Sequence, residues 1–277
     1  MGKNLFIAEK PSVAREFARV LQLNTSNRDG YMESDQAIVT WCVGHLVTMS
    51  YPEVYDEKYK RWSFDTIPFI PDQFKYEVID SVKKQFQIVS GLLNRADIDT
   101  IYVCTDSGRE GEYIYRLVEQ EAHVTGKIRR RVWIDSQTEE EIKRGIREAR
   151  DLSAYDALGA AAYLRAKEDY LMGINFSRAL TLKYGNGIKG FLKADRAVVS
   201  VGRVMTCVLG MVVKREREIR DFVKTPFYRV VMDMEIQGRS LVCDWKATEK
   251  SRYFNSPLLN KENGRQVIIY RFVCRLL

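Results

Sequence analysis

The sequence contains 277 residues, a length that fits one large domain or two of ordinary size. Hydrophobic residues make up 45% and charged residues 29%, so the chain can bury a core and its composition excludes an intrinsically disordered protein. Lysine and arginine outnumber aspartate and glutamate by 44 to 37, and the formal net charge of +7 favours an anionic partner.

The cysteine pattern and the lack of a recognisable targeting signal predict a cytoplasmic protein. The cysteines form no Cys-x-x-Cys pair, which argues against a zinc ribbon and against a disulfide framework. Only two histidines are present, so a histidine-based metal site is not expected. The N-terminal apolar run is too short for a signal peptide, and no apolar stretch is long enough to cross a membrane, so we expect no membrane partner.

The first half of the chain alternates strands with helices. Residues 4–8 form an apolar strand, and Pro11 begins a helix whose apolar residues recur at helical spacing. Further strands are predicted at 37–43, 100–104 and 131–134, and further helices at 110–121 and from a capping box at 138–141 to about 150. This pattern predicts an α/β domain over 1–151 with a largely parallel, Rossmann-like sheet.

The pattern changes after Asp151. Residues 155–184 are predicted as one long helix or two abutting helices, followed by a flexible, basic link at 184–190. Another helix is predicted at 201–222, with an apolar stripe formed by Val201, Val204, Val208 and Val212. From Tyr228 the period becomes two, which predicts a hairpin that turns at Gln237-Gly238. We therefore predict a helical segment over 152–224 and a β-rich substructure over 225–277.

Three acidic residues follow predicted strands. Glu9 comes after the first strand, and Asp106 and Glu110 come after the strand at 100–104. Functional side chains collect at the carboxyl ends of parallel strands, so these residues converge if the two strands are neighbours. Clustered carboxylates suit Mg²⁺ that keeps several waters and touches phosphate. The alternative is that Asp106 and Glu110 only stabilise a helix N-terminus.

Five short motifs together resemble a known family. Residues 9–12 (EKPS) and 105–112 (TDSGREGE) resemble a Toprim domain. Three further motifs are residues 41–46 (WCVGHL), 165–178 (RAKEDYLMGINFSR) and 200–204 (SVGRV). They occur along the chain in the order found in type IA DNA topoisomerases, nearest the topoisomerase III branch. The resemblance runs from residue 3 to about 246. It implies a Toprim domain over 1–151, a helical DNA-binding segment over 152–224 and the start of an arch domain over 225–277.

The same resemblance implies an activity and a catalytic site. The family relaxes negatively supercoiled DNA without ATP, through a transient 5′-phosphotyrosine break in one strand. Glu9 corresponds to the Toprim glutamate that acts at the scissile phosphate or holds metal, and Lys10 to a lysine that contacts this phosphate. Asp106 and Glu110 correspond to two acids of a D-x-D-x-E pattern that binds Mg²⁺. Gly108 replaces the middle acid, which predicts a weaker or simpler metal site.

The resemblance also implies a path for single-stranded DNA. It places the helix that carries Asp169, Asn175, Arg178 and Thr181 against the strand, although these residues alone also fit an ordinary polar helix face. Further predicted DNA contacts lie outside this helix: Arg61, Arg109, Ser200, Gly202 and Arg203.

Physical arguments support some of these contacts. Gly202 permits close backbone approach and Arg203 can neutralise a phosphate. Lys58, Lys60 and Trp62 surround Arg61 with a basic and aromatic mixture that suits single strands. Met205 and Cys207 depart from the glutamine and proline usual in the family, so no contacts are assigned to them.

The nucleophilic tyrosine of the family is not found. None of the 15 tyrosines is followed by Pro-Arg-Thr, and residues 264–277 resemble nothing in the family, so we expect a truncated or frame-shifted form. Two other hypotheses stay open: a Toprim nuclease or primase-like enzyme, and a module that binds single-stranded DNA without chemistry.

Overall fold

The computed structural model describes residues 2–224, 231–236, 238–244 and 270–271. The chain divides into two compact units, residues 1–208 and residues 209–277. No helix in the described part of the chain is both long enough and apolar enough to span a membrane.

The first unit is built on a seven-stranded sheet. Its strands follow in chain order: β1 Lys3–Ala8, β2 Ser26–Arg28, β3 Tyr31–Glu33, β4 Ala37–Trp41, then, after the separate pair β5 Val47–Met49 and β6 Tyr76–Val78, β7 Ile98–Cys104, β8 Ile128–Arg131 and β9 Arg150–Asp151. The spatial order is β2-β3-β4-β1-β7-β8-β9. The central strands β4, β1, β7 and β8 are parallel, and antiparallel strands extend both edges.

Helices cover both faces of this sheet. The α-helices in the described part of the chain are α1 Pro11–Val20, α2 Lys83–Leu93, α3 Arg109–Glu121, α4 Glu139–Arg147, α5 Asp156–Leu192 and α6 Arg203–Arg220, and those that pack on the sheet are α1 to α4. In β1, Leu5 and Ile7 join a core with α2 and α3, whereas Phe6 and Ala8 join a second core with α1 and α4. Because successive strand side chains point to opposite faces and both faces are covered, the buried part of this strand, residues 5–8, is apolar throughout. The predicted α/β class is confirmed.

Two local predictions differ from the structure. The fourth predicted strand is β8 at Ile128–Arg131, not 131–134, because the backbone of these basic residues pairs with Thr100–Val103 of β7. The prediction of a capping box at 138–141 is also wrong. Thr138 occupies the N-cap but makes no side-chain cap, and Glu141 bonds instead to Arg144 and to the Asp135 N–H.

The predicted flexible link at 184–190 is helical. α5 is one continuous helix of 37 residues that passes through this segment. Its glycines admit the returning chain, since a Cβ at Gly185 would lie 3.2 Å from the Ala197 carbonyl oxygen. The N–H groups of Val199 and Val201 donate to Thr181 Oγ1 and Ser177 Oγ, at 2.9 and 2.8 Å. Packing at Ser177, Thr181 and Gly185 therefore holds the helix where the segment begins, and residues 186–190 continue it on exposed surface.

The elements after residue 200 follow the predicted order. α6 lies within the predicted helix, but Val204, Val208 and Val212 of its apolar stripe are exposed. The hairpin is confirmed as β10 Val231–Ile236 paired with β11 Arg239–Asp244, and β12 Tyr270–Arg271 pairs with β10. Gly238 in the turn has φ +73°, which favours glycine. The predicted hairpin ends at 228–230 and 245–247 lie outside the described residues.

A buried ion pair joins β8 to α3. Arg131 and Glu112 both have fully buried side chains, and Arg131 Nε donates to Glu112 Oε1 at 2.5 Å. Arg116, one turn along α3, donates to the other carboxylate oxygen at 2.9 Å. Removing one partner from such a pair leaves an uncompensated buried charge.

We expect Glu112→Gln to lower the free energy of unfolding by about 3–5 kcal/mol, because Arg131 then keeps its charge without a buried counter-charge. Urea denaturation followed by far-ultraviolet circular dichroism measures the loss. Glu139→Gln is the matched control: it breaks an exposed pair with Lys143 on α4, where the cost is about 0.5 kcal/mol or less. Similar losses in both variants would contradict the role of the buried pair.

Candidate active site and nucleic-acid interface

Glu9 and Asp106 lie side by side at the carboxyl ends of two neighbouring strands. β1 and β7 pair in parallel with Ala8 opposite Cys104, and each acid follows within two residues. Lys10 Nζ lies 3.8 Å from Glu9 Oε1 and 3.9 Å from Asp106 Oδ2. Glu9 and Asp106 therefore lie close together as predicted, and Lys10 lies beside both carboxylates.

Glu9 is buried in an incompletely satisfied environment. Its residue is 8% exposed, and Oε2 has no hydrogen-bond partner in the described part of the chain. Burial raises the pKa of the Glu9 carboxyl, and the negative charge of Asp106 raises it further. A carboxylate in this position is stabilised by gaining either a proton or a cation.

The turn that carries Asp106 is fixed by buried contacts. Arg131 donates to the carbonyl oxygens of Thr105 and Asp106, each at 2.7 Å. Thr105 Oγ1 donates to the Gly111 carbonyl oxygen at 2.9 Å. A Cβ at Gly111 would lie 2.0 Å from the Asp106 carbonyl oxygen, so only glycine lets α3 begin this close to the turn.

Glu110 faces a histidine. Its Oε1 lies at hydrogen-bonding distance from His45 Nε2, 2.6 Å away, and the His45 ring meets Tyr113 edge-on at 5.9 Å between centroids. These residues border a cleft of about 310 Å³ that α5 closes with Arg165, Asp169 and Tyr170. The predicted site residues do not include His45 or Tyr113. The signal that could have found His45 is its place in the motif at 41–46, shortly after the end of β4, a strand that neighbours β1.

The three acids do not form one ligand set. Among the described residues, no three His, Cys, Asp or Glu side chains are close enough to hold a metal ion together. The expected convergence of Glu9, Asp106 and Glu110 therefore needs correction. Lys10 lies near the first two carboxylates, whereas Glu110 lies within hydrogen-bonding distance of His45.

Two predicted DNA-binding residues form an ion pair. Arg203 Nε and Nη2 donate to the two carboxylate oxygens of Asp169, at 2.9 and 3.0 Å. Both side chains are exposed, and Asp169 shares the cleft beside Glu110 with Arg109. A phosphate that approached Arg203 would therefore compete with the Asp169 carboxylate.

Other predicted DNA contacts are engaged within the protein. The Asn175 side chain accepts from the Phe69 N–H at 2.5 Å and donates to the Phe69 carbonyl oxygen at 2.9 Å. Arg178 is buried, with its guanidinium 5.4 Å from the centre of the Trp62 ring and 4.0 Å from Glu53. Burial lowers the pKa of Arg178. A DNA contact by Asn175 or Arg178 would require these contacts to change, and both assignments stay predictions.

The remaining predicted contacts are more accessible. Arg61 and Ser200 are exposed. A Cβ at Gly202 would meet nothing within 4 Å, so no neighbour within the protein occupies the space beside its backbone. Lys58 pairs with Asp56 at 3.0 Å.

Comparisons with known proteins agree with this architecture. A Toprim domain model matches residues 4–135, and a DNA topoisomerase model matches residues 153–263. DNA topoisomerase 3 of Bacillus subtilis (strain 168) is 38% identical over 273 residues, which cover 97% of this chain and 36% of that protein. DNA topoisomerase 3 of Bacillus licheniformis is 38% identical over 95% of this chain and 34% of its own length. The enzyme of the same name from Shouchella clausii is 40% identical over 84% of this chain and 30% of its own length.

A Toprim sheet with paired acids at its strand ends, followed by the DNA topoisomerase region, defines the type IA DNA topoisomerases, and the chain belongs to this family. Within the family it falls in the topoisomerase III branch. The chain spans about a third of the length of the curated relatives that it matches.

We expect Gly108→Asp to strengthen Mg²⁺ binding. Gly108 has an extended backbone with φ −179°, and a Cβ added there would meet nothing within 4 Å, so an aspartate fits and restores the third acid. Isothermal titration calorimetry with MgCl₂ measures the change against the parent chain. Gly108→Asn is the matched control, since it adds the same bulk without the charge, and equal tightening by both variants would contradict the prediction.

Proposed function

We propose that this chain supplies the Toprim site and part of the DNA path of a topoisomerase III that relaxes negatively supercoiled DNA without ATP. The observation that carries this proposal is the position of Glu9, Lys10 and Asp106 at the ends of β1 and β7. A phosphate placed there would meet one lysine and two carboxylates that can share a cation. Such action on DNA would take place in the cytoplasm, with the nucleoid.

The residues present fit Mg²⁺, in a site with fewer acidic ligands than the family pattern has. The unpartnered buried oxygen of Glu9 and the half-exposed Asp106 carboxylate would hold it, with Glu110 nearby and Gly108 in place of a further acid. The ion would supply positive charge to the phosphate and to the oxygen that departs during strand cleavage. Lys10 would neutralise the phosphate, and Glu9, whose pKa is raised by burial, would instead hold or move a proton at Oε1 when its other oxygen does not hold the ion.

The proposed DNA path favours single strands. Arg109 and Arg165 line the cleft beside Glu110, and Arg203 pairs with Asp169 of the same cleft, so a strand that enters it would meet three arginines. Arg61, Ser200 and Gly202 would extend the contact on exposed surface. Basic groups interleaved with aromatic rings such as Trp62 suit unpaired bases better than a duplex.

We extend the proposal to the domain division: a Toprim domain over 1–151, a helical DNA-binding segment over 152–224 and the start of the arch over 225–277. The match of residues 153–263 to the DNA topoisomerase family supports a topoisomerase over a Toprim nuclease or primase-like enzyme. A module that only holds single-stranded DNA is the second candidate, because no tyrosine in these 277 residues is followed by Pro-Arg-Thr.

We expect Arg203→Ala to weaken binding to an oligothymidylate and to reduce the salt slope of binding by about one unit, because one phosphate contact is lost. Fluorescence anisotropy over a salt series measures both quantities. Arg19→Ala is the matched control, since Arg19 is also exposed and paired with an acid but lies on α1. Equal affinity of the parent for duplex and single strands at every salt concentration would refute the proposed path.

We expect a polypeptide of this sequence alone to bind DNA without relaxing it. A reversible break needs a nucleophile that conserves the phosphodiester energy in a covalent bond, whereas acids and Mg²⁺ alone can only hydrolyse the strand. A plasmid relaxation assay resolved by gel electrophoresis tests this expectation. Closed-circular relaxed topoisomers that depend on Mg²⁺ would contradict it, and nicked circles would support the nuclease alternative.

A further inference from the structure

A second cleft, of about 560 Å³, lies where α4 and β9 meet the residues that follow β8. It shares no lining residue with the cleft beside Glu110. Its volume lies in the range of small-molecule binding sites. The lining combines two aromatic rings, two arginines, a glutamate and a glycine: Trp133, Tyr155, Arg144, Arg150, Glu148 and Gly145.

The two aromatic rings are arranged in advance of any ligand. Trp133 and Tyr155 stack nearly parallel, with centroids 5.1 Å apart and 13° between their planes. The guanidinium carbon of the buried Arg131 lies 5.2 Å from the centre of the Trp133 ring. The next residue, Ile134, donates its N–H to Ser107 Oγ at 2.9 Å, which fixes the chain beside Trp133. A flat aromatic ligand can extend or join such a stack at little cost in conformational entropy.

The two arginines that line the cleft differ in whether a carboxylate compensates their charge. Arg144 donates to Glu148 at 2.7 Å and also bonds to Glu141, so its charge is compensated. Arg150 is exposed, and its side chain forms no ion pair with any residue in the described part of the chain. The lining therefore presents one uncompensated positive charge beside an aromatic stack.

We propose that this cleft binds an unpaired nucleotide, with its base against Trp133 and Tyr155 and its phosphate on Arg150. A ring platform with a single cation matches a nucleobase that carries one phosphate. A base pair inside a duplex is excluded, because its neighbours already cover both of its faces. The nucleotide can come from a single strand or from free solution, and the following experiment separates these sources.

Labelling the full chain with 5-fluorotryptophan gives a fluorine resonance for each of its four tryptophans, and Trp133→Phe assigns the one of interest. We expect the Trp133 resonance to shift on titration with an oligothymidylate and to stay unchanged with a blunt duplex. A shift at matched concentrations of thymidine 5′-monophosphate assigns the site to free nucleotides, and a shift with the oligothymidylate alone assigns it to strands. No shift with either probe overturns the proposal.

Binding by variants gives an independent measure. Trp133→Leu should weaken oligothymidylate binding by about fivefold or more, whereas Trp133→Phe should retain it, because stacking needs only an aromatic face. Arg150→Ala should also weaken binding. Arg130→Ala is its matched control, since this exposed arginine lies on β8 but does not line the cleft.

The outcome separates this inference from the proposed function. A parent chain that binds no single-stranded DNA refutes the proposed function, and the mononucleotide titration still tests the cleft. A parent that binds normally, with Trp133→Leu and Arg150→Ala variants that are folded by circular dichroism and bind equally well, refutes the cleft alone.

Discussion

The position of the candidate active site depends on one buried guanidinium. Arg131 is fully buried, pairs with Glu112 of α3 and donates to the carbonyl oxygens of the turn that follows β7. It therefore ties together a strand, a helix and the loop that presents Asp106. Replacing a buried ion pair with well-packed apolar residues is often neutral for stability, so this pair is better understood as a positioning device. The Thr105–Gly111 hydrogen bond and the close approach at Gly111 fix the same turn from within the local sequence, and Arg131 ties it to β8 and α3.

The site itself is a balance of local charges. Glu9, Asp106 and Lys10 form one group, Glu110 and His45 a second, and Asp169 and Arg203 a third. In the first and third groups a lysine or an arginine compensates the carboxylates, and in the second His45 lies within hydrogen-bonding distance of Glu110. An incoming phosphate or metal ion exchanges partners with groups that are already paired, which costs less than uncovering an isolated charge. In the proposed function, this pairing would let the cleft accept an anionic strand although it contains several acids.

The sequence predicted those parts of the fold that follow from periodicity and from strand ends. The apolar runs located β1, β4 and β7, and the acids directly after β1 and β7 located Glu9 and Asp106. The pair Arg131–Glu112 was not predicted, because charged residues in a sequence are ordinarily read as solvent-exposed. Its burial depends on long-range contacts between β8 and α3 that periodicity does not encode.

Two errors had the same physical origin. The composition of residues 184–190 predicts a flexible link, but α5 continues through them, and Ser177, Thr181 and Gly185 pack against the returning segment at 197–201. The apolar residues 132–134 favour a strand at 131–134, whereas backbone pairing with β7 forms β8 from the mostly basic residues 128–131. In both cases tertiary contacts overrode local composition.

The continuity of α5 has a mechanical consequence. A helix of 37 residues is about 55 Å long, and an uninterrupted hydrogen-bond ladder makes it a stiff rod. Its first half is held against the sheet unit by the edge-on contact of Tyr163 with Tyr113 and by the bond from Tyr170 to the Ser50 carbonyl oxygen. A tilt of about 5° at that anchored half would carry the far end through about 5 Å, by simple leverage over this length. The length of the helix thus means that even a small rotation of its anchored half would become a displacement of several ångströms at its far end.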